Sequence, residues 1–433
     1  MDSNNGLNQT TEPVVEIVNA KDTRVYDGRL TRRFIAGILI GFLVSVLVVS
    51  AAVLSLLYVF RGKGVPGLSV TGESDLLNEG TLNKIQALED VIDTYYYKTD
   101  VDKQDEADGI YKGLMNSLGD PYSVYYTEEE LDEMMNSTKG IYYGIGAYVS
   151  FDNTINMARI SGVMPGSPAE NAELCVDDII YEINKESTQG LTLEEVVGLI
   201  KGEAGTTVHL TLVRNGSASN VEVDVERAQI EVPTVSSEVF DNNVGYLKIT
   251  EFDEVTYSQF VENMAELRAQ NIEGLIIDLR SNPGGNLSTV CDIARQLLPK
   301  GVIVYTEDRE GNREDYTCDG QNEIDIPVVV LVNQYSASAS EILAGAIKDY
   351  NLGKLVGKTT YGKGIVQRIF DLRDGTAVKL TVSSYFTPNG INIHGVGIEP
   401  DVEVEYDGEA YAKDKTDTQL DKAKEVMQEL LDK

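Results

Sequence analysis

Ser338 and Lys363 stand twenty-five residues apart, and Gln367 follows four residues later. The stretch that holds them, Asn333 to Gln367, places three serines (Ser336, Ser338 and Ser340) between a β-branched run and a helical pattern. The run, Ile326 to Val332, reads as a buried strand, and the helix is expected over Glu341 to Asp349. A serine at a strand-to-helix turn is well placed as a nucleophile. The turn exposes its side chain, and the unpaired N–H groups of the helix start can hold an oxyanion. Composition alone leaves the choice among the three serines open.

Such a serine needs a base. The chain has two histidines. His209, in TTVHLTLV, falls on an alternating strand of another domain, and His394, in INIHGVGIEPD, is expected to be structural. A lysine is the alternative, as in serine–lysine pairs. Bringing its pKa from about 10.4 to roughly 7 takes on the order of 4–5 kcal/mol of desolvation. Tyr361, Ile365 and Val366 are the apolar neighbours expected to supply it. The spacing Gly357-x4-Gly362-Lys363 also fits the start of a P-loop, but Gly364 stands where the Mg²⁺-binding Ser or Thr belongs, which disfavours a nucleotide hydrolase.

Four blocks resemble the C-terminal processing peptidase (tail-specific protease) family. They are DLRSNPGGNL (Asp278 to Leu287), SASASEILAGAIKDY (Ser336 to Tyr350), GKTTYGKGIVQ (Gly357 to Gln367) and TPNGINIHGVGIEPD (Thr387 to Asp401). The resemblance implies a serine endopeptidase with a Ser-Lys-Gln site and an inserted PDZ domain. It selects Ser338 as nucleophile, Lys363 as base and Gln367 as the residue that orients the lysine. It also assigns the oxyanion hole to the N–H groups of Gly284 and Ala339. No metal, nucleotide or other cofactor is implied.

The rest of the chain must carry and position these residues. At 433 residues several domains are expected. The formal charge of −34 disfavours electrostatic binding to nucleic acid or an anionic membrane surface. Residues 1–33 are polar and read as a cytoplasmic tail. Phe34 to Phe60 contains no charged residue and is long enough to span a bilayer as an uncleaved signal anchor. Lys21, Arg24, Arg29, Arg32 and Arg33 precede it, against Arg61 and Lys63 after it. That bias puts the N-terminus in the cytoplasm and the catalytic part outside, in a single-pass protein of the cell membrane.

A linker (61–75) leads to a helical region (76–138), where Ile85, Leu88, Val91 and Ile92 share one helix face. This face and that of a C-terminal helix (409–433; Leu420, Ala423, Met427 and Leu430) suggest a homodimer or docking. Residues 139–230 change to short strands and resemble a PDZ domain. In it, Tyr143, Gly144, Ile145 and Gly146 form a carboxylate-binding loop, and Ala147 and Val149 lie on an edge strand that pairs with an incoming tail. Val197 and Ile200, with Val196, on a helix expected from Leu193 to Lys201, would line the pocket for an apolar last side chain. Relatives often carry an arginine after that helix as an occupancy sensor; the nearest basic residue here is Lys201. The peptidase core, of ClpP/crotonase-like α/β type, is expected over 231–408, making an α+β multidomain chain. Of three scattered cysteines, Cys175 is expected in the core. The expected partners are protein substrates with apolar C-terminal tails, and the rival of another class is a PDZ scaffold that binds tails without cutting.

Overall fold

Val328–Val332 reads VVVLV and is buried at every position, as is Gly274–Asp278. Continuous apolar β-branched strands of this kind need cover on both faces, which a parallel sheet supplies. In the computed structural model, which describes residues 76–217 and 219–433, these two strands are the centre of a six-stranded sheet. Its order is Val235–Phe240, Val244–Ile249, Gly274–Asp278, Val328–Val332, Gly353–Gly357 and Val402–Glu403. The first pair is antiparallel and the other four pairings are parallel.

Helices Thr256–Ala269, Leu287–Ala294 and Ala339–Asp349 close one face over a core that includes Phe260, Leu267, Val290, Leu343 and Ile347. The C-terminal helix, Thr418–Leu431, covers the other face with Ala423, Val426 and Met427. Leu420 and Leu430 pack there too, so the apolar stripe, expected to dock or to dimerise, docks on the chain's own sheet. Arg280 fixes this docking, bridging the buried Asp278 and the helix N-cap Asp417.

A second, antiparallel sheet is built on the long strand Ala377–Phe386. Ile365–Asp371, Gly301–Asp308 and Val124–Tyr126 pair with it, and Arg313–Cys318 extends it beyond Gly301–Asp308. Val124–Tyr126 comes from the region that the sequence gives to helical assembly. Its strand brings the preceding turn, Asp120 to Ser123, to the peptidase sheet. The adjoining helix Glu128–Lys139 begins with a Thr127/Glu130 capping box and stops at Gly140 in a left-handed conformation.

Residues 147–226 form a separate small core under a six-strand sheet, with Ala147–Asp152 at one edge and helix Leu193–Ile200 beside it. A two-strand ribbon, Ile141–Gly144 with Ala228–Glu231, carries this insert. Helix Glu79–Tyr95, capped by Asn78, has no buried residue, and Leu88, Val91 and Ile92 on it are exposed. Among the described residues no helix is long and apolar enough to cross a membrane; the expected span Phe34–Phe60 lies outside them.

Candidate active site

The strand Val328–Val332 delivers the chain to Asn333, and the turn that follows gives the three serines different surroundings. Ser336 is fully buried and donates its hydroxyl to the Leu279 carbonyl at 2.8 Å. Ser340, equally buried, donates to the Asn282 carbonyl at 3.0 Å. Both are staples between this turn and the neighbouring Asp278–Leu287 loop. Ser338 alone of the three is part-exposed. It stands at φ 54, ψ −114, where an L-residue carries about 1–3 kcal/mol of strain, a feature that clusters at functional sites. Tyr385, buried beneath, donates its hydroxyl to the Ser338 carbonyl at 3.0 Å.

One side chain ties this turn to the lysine loop. Glu341, fully buried, accepts the Ser338 N–H at 2.8 Å and the Lys363 N–H at 2.9 Å on the same oxygen, Oε2. Its Oε1 accepts the Gly362 N–H at 2.7 Å and the Thr360 hydroxyl at 2.6 Å. The carboxylate thus fixes the backbones of Ser338 and Lys363 around a single atom. The same bonds remove the N–H cradle that a nucleotide phosphate would need, so the P-loop likeness is one of spacing only.

Burial pulls the Lys363 amine below its ordinary range, with Lys379 adding to the effect and Asp120 and Glu341 opposing it. The apolar wall differs from expectation. Tyr361 is exposed, and the ring that lies against the amine is Tyr122, with Nζ 4.4 Å from its centroid. Tyr122 belongs to the turn before Val124–Tyr126, and its hydroxyl is 3.4 Å from that of Tyr361. Gln367 lies on the strand beside the lysine loop, where its Nε2 donates to the Thr381 hydroxyl at 3.2 Å. The histidines stay apart from this chemistry. His209 pairs with Asp224 in the inserted domain, and the His394 side chain is exposed while its backbone packs on Gly364.

Gly284 sits directly against the candidate nucleophile. A Cβ there would meet Ser338 Cβ at 2.6 Å and Ala339 N at 2.9 Å, and its φ of 105 suits glycine. Its N–H donates to Asn282 Oδ1 at 2.8 Å, so an oxyanion at this point has to replace that acceptor. Ala339 opens its helix, where its N–H lies outside the intrahelical ladder.

The eight residues expected to grip a tail, Tyr143, Gly144, Ile145, Gly146, Ala147, Val149, Val197 and Ile200, all line one cavity of about 1310 Å³. Val196 instead points into the small core and is fully buried. Lys201 is at the rim, and a second basic residue, Arg227, is buried behind the helix, donating to the Ile200 and Leu199 carbonyls. The cavity continues past the ribbon to Glu251, Asp253 and Lys379 of the peptidase domain. Cys175, placed in the core by its apolar context, is exposed in a turn whose Cys175 N–H is bound by Asp178.

Burial, with Glu251 nearby, pushes the Asp253 carboxyl up to about 7 from an ordinary 3.8. The folded chain therefore holds a proton there that the unfolded chain releases. The stability this group contributes is complete below pH 3.8 and is lost as the pH rises through about 7. Asp253→Asn is expected to raise the thermal midpoint by several degrees at about pH 8.5 and by much less near about pH 5. Equal shifts at both pH values, followed by circular dichroism, would contradict this assignment.

A turn that leaves one serine part-exposed and ties it through Glu341 to the loop of a half-buried lysine, with a groove on an inserted domain, fits a serine-type peptidase. Residues 243–404 match the model of peptidase family S41, residues 159–214 that of a PDZ domain, and residues 65–130 that of the activating protease CtpB N-terminal domain. The chain is similar to the carboxy-terminal processing protease CtpA of Bacillus subtilis, with 37% identity over 349 residues, 78% of this chain and 73% of that one. It is also similar to the carboxyl-terminal-processing protease of Synechocystis, with 36% identity over 314 residues, 72% of this chain and 74% of that one. The chain belongs to the family of C-terminal processing serine peptidases.

Asp120, Tyr122, Thr381 and Glu341 went unseen in the sequence as parts of this site. Asp120 and Tyr122 lie in GDPYS, which reads as a helix stop. The one available signal for Glu341 is its position three residues after Ser338, where a capping carboxylate is common.

Proposed function

We propose that this chain cuts proteins by a Ser-Lys mechanism after its PDZ domain has taken hold of their C-terminal tails. The observation that carries the reading is the shared oxygen of Glu341, which binds the backbone N–H groups of both Ser338 and Lys363. Ser338 Oγ attacks the scissile carbonyl carbon while the neutral Lys363 amine takes the hydroxyl proton. The C–N bond breaks, the lysine returns the proton to the departing amine, and water, deprotonated in turn by Lys363, hydrolyses the acyl-enzyme. Ala339 and Gly284 present N–H groups to the oxyanion once the Asn282 acceptor gives way. Gln367 orients the amine.

The tail enters the cavity as a strand added to Ala147–Asp152, with its carboxylate at the Tyr143–Gly146 loop and its last apolar side chain against Val197 and Ile200. Phe34–Phe60 anchors the chain, with the catalytic part outside the cell. The exposed apolar face of Glu79–Tyr95 supports pairing of two copies.

The test follows cleavage of an unstructured protein ending in small apolar residues, and of the same protein with a charged tail. Ser338→Ala and Lys363→Ala are each expected to remove cleavage, and the charged tail to slow it. Because burial lowers the lysine pKa, the wild-type rate should rise with pH through an inflection below 10.5. Cleavage by Ser338→Ala at the wild-type rate overturns the mechanism. A second reading, a tail-binding scaffold that does not cut, draws on the Gly284 N–H already satisfied by Asn282. It predicts tail binding without cleavage by any form.

A further inference from the structure

The strand that carries Gln367 pairs with Ala377–Phe386, and Gln367 faces Thr381 directly across the ladder. The register shifts between Val366 and Gln367, the kind of bulge that re-aims a side chain next to a site. Gln367 Nε2 meets Thr381 Oγ1 at 3.2 Å, and Thr381 Oγ1 in turn meets Asp120 Oδ2 at 2.6 Å. Asp120 also accepts the Ser123 hydroxyl at 2.6 Å and the Tyr122 N–H at 3.0 Å. Burial alone would raise its pKa. The bonds from Ser123, Thr381 and Tyr122, with the charge of Lys363, hold it below the usual carboxylate range.

Proton directions follow from this inventory. An ionised carboxylate only accepts, so the one proton of the Thr381 hydroxyl goes to Asp120. Towards Gln367 the Thr381 oxygen then has lone pairs alone, which only the amide –NH₂ can satisfy. The orientation of the Gln367 amide is set by this chain of bonds, independently of how the amide is drawn. Its Oε1 remains the free, accepting end. An amine base needs an acceptor beside it: a carbonyl that takes one N–H of Lys363 leaves the nitrogen lone pair to be turned towards the serine. A reversed amide would set N–H against N–H.

We propose that Asp120, acting through Thr381, is a positioning residue that locks the Gln367 amide with its carbonyl available to the Lys363 amine. The relay starts in the N-terminal turn, so a segment outside the peptidase core sets the geometry of the base. It rests on the Ser-Lys reading above.

Thr381→Val in the full chain keeps the shape and removes the hydroxyl. With the apolar-tailed substrate, kcat is expected to fall at least about tenfold, a part of the 10²–10⁴ that acid–base catalysis supplies, with KM unchanged. Thr381→Ser should restore it. In a Gln367→Ala background, Thr381→Val should cost nothing more, because the relay has no amide left to orient. Thr381→Ala, which adds no apolar branch, is read in the same way should the valine variant melt early. Wild-type kcat in Thr381→Val, failure of Thr381→Ser to rescue, or a full further loss in the double variant would each overturn the proposal. Ser338→Ala and Lys363→Ala are assayed alongside. If cleavage survives either, the Ser-Lys reading itself falls; if both abolish cleavage, the Thr381 results judge the relay alone.

Discussion

Glu341→Gln should leave a protein that cuts at least about a hundredfold more slowly and melts well below the wild type. The carboxylate gathers four donors, two on each oxygen. A glutamine keeps one accepting oxygen and turns an –NH₂ group on the other pair. Either the Ser338 and Lys363 N–H groups or the Gly362 N–H and Thr360 hydroxyl then face a donor in a fully buried place. Bonds to a charged acceptor are worth about 1.5–3 kcal/mol each, so losing two costs on the order of 3–6 kcal/mol of a total stability of about 5–15 kcal/mol. The kinetic loss has a separate origin. The serine and lysine backbones are no longer tied at one atom, and a displacement of about 1 Å at reacting groups costs about a hundredfold. Thermal denaturation and cleavage kinetics measured together decide the matter. A Gln variant with wild-type midpoint and rate would show that the clasp is dispensable.

Gly284→Ala should remove cleavage while sparing tail binding. The added methyl would lie 2.6 Å from Ser338 Cβ, 2.7 Å from the Ala337 carbonyl oxygen and 2.9 Å from Ala339 N. None of these is the loose end of a flexible side chain, so main chain has to move. The atoms that move carry the proposed nucleophile and one of the proposed oxyanion donors, and a loss beyond about a hundredfold in kcat is expected. The tail groove is built from other strands, so affinity for an apolar-tailed peptide, followed by fluorescence anisotropy, should stay within about twofold. Wild-type turnover in Gly284→Ala would remove this loop from the site.

Much of this was legible because it depends on local patterns. VVVLV announces a strand covered on both faces, and the alternation of TAVKLTVSSYF announces Ala377–Phe386. The boundaries of Ala339–Asp349 and Leu193–Ile200 fall within two residues of expectation. Resemblance, not composition, selected Ser338; what the sequence could not show is that Ser336 and Ser340 are consumed as staples while Ser338 stays part-exposed.

What escaped is what the chain brings together from afar. Tyr122 and Lys363 meet across the whole inserted domain and most of the peptidase core, and no periodicity links a turn residue to a ring placed under an amine. The stripe on the last helix was plain, but a stripe does not name its partner, and the sheet's second face took it. Cys175 misled because an apolar neighbourhood in sequence became a surface turn held by Asp178.

Glu341 grips peptide N–H groups and leaves the side chains of Ser338 and Lys363 out of its bonds. Heredity can therefore treat cutting and folding as separate characters. On the Ser-Lys reading, a codon change that trims the lysine would abolish turnover, yet it would also remove a half-buried amine and leave the clasp whole. Glycine at 338 would relax a positive φ. Selection for foldedness alone has no means of purging such changes. Descendants of this gene that hold tails without severing them should keep Glu341 and drift at 338 and 363, and the idle forms should be the sturdier ones.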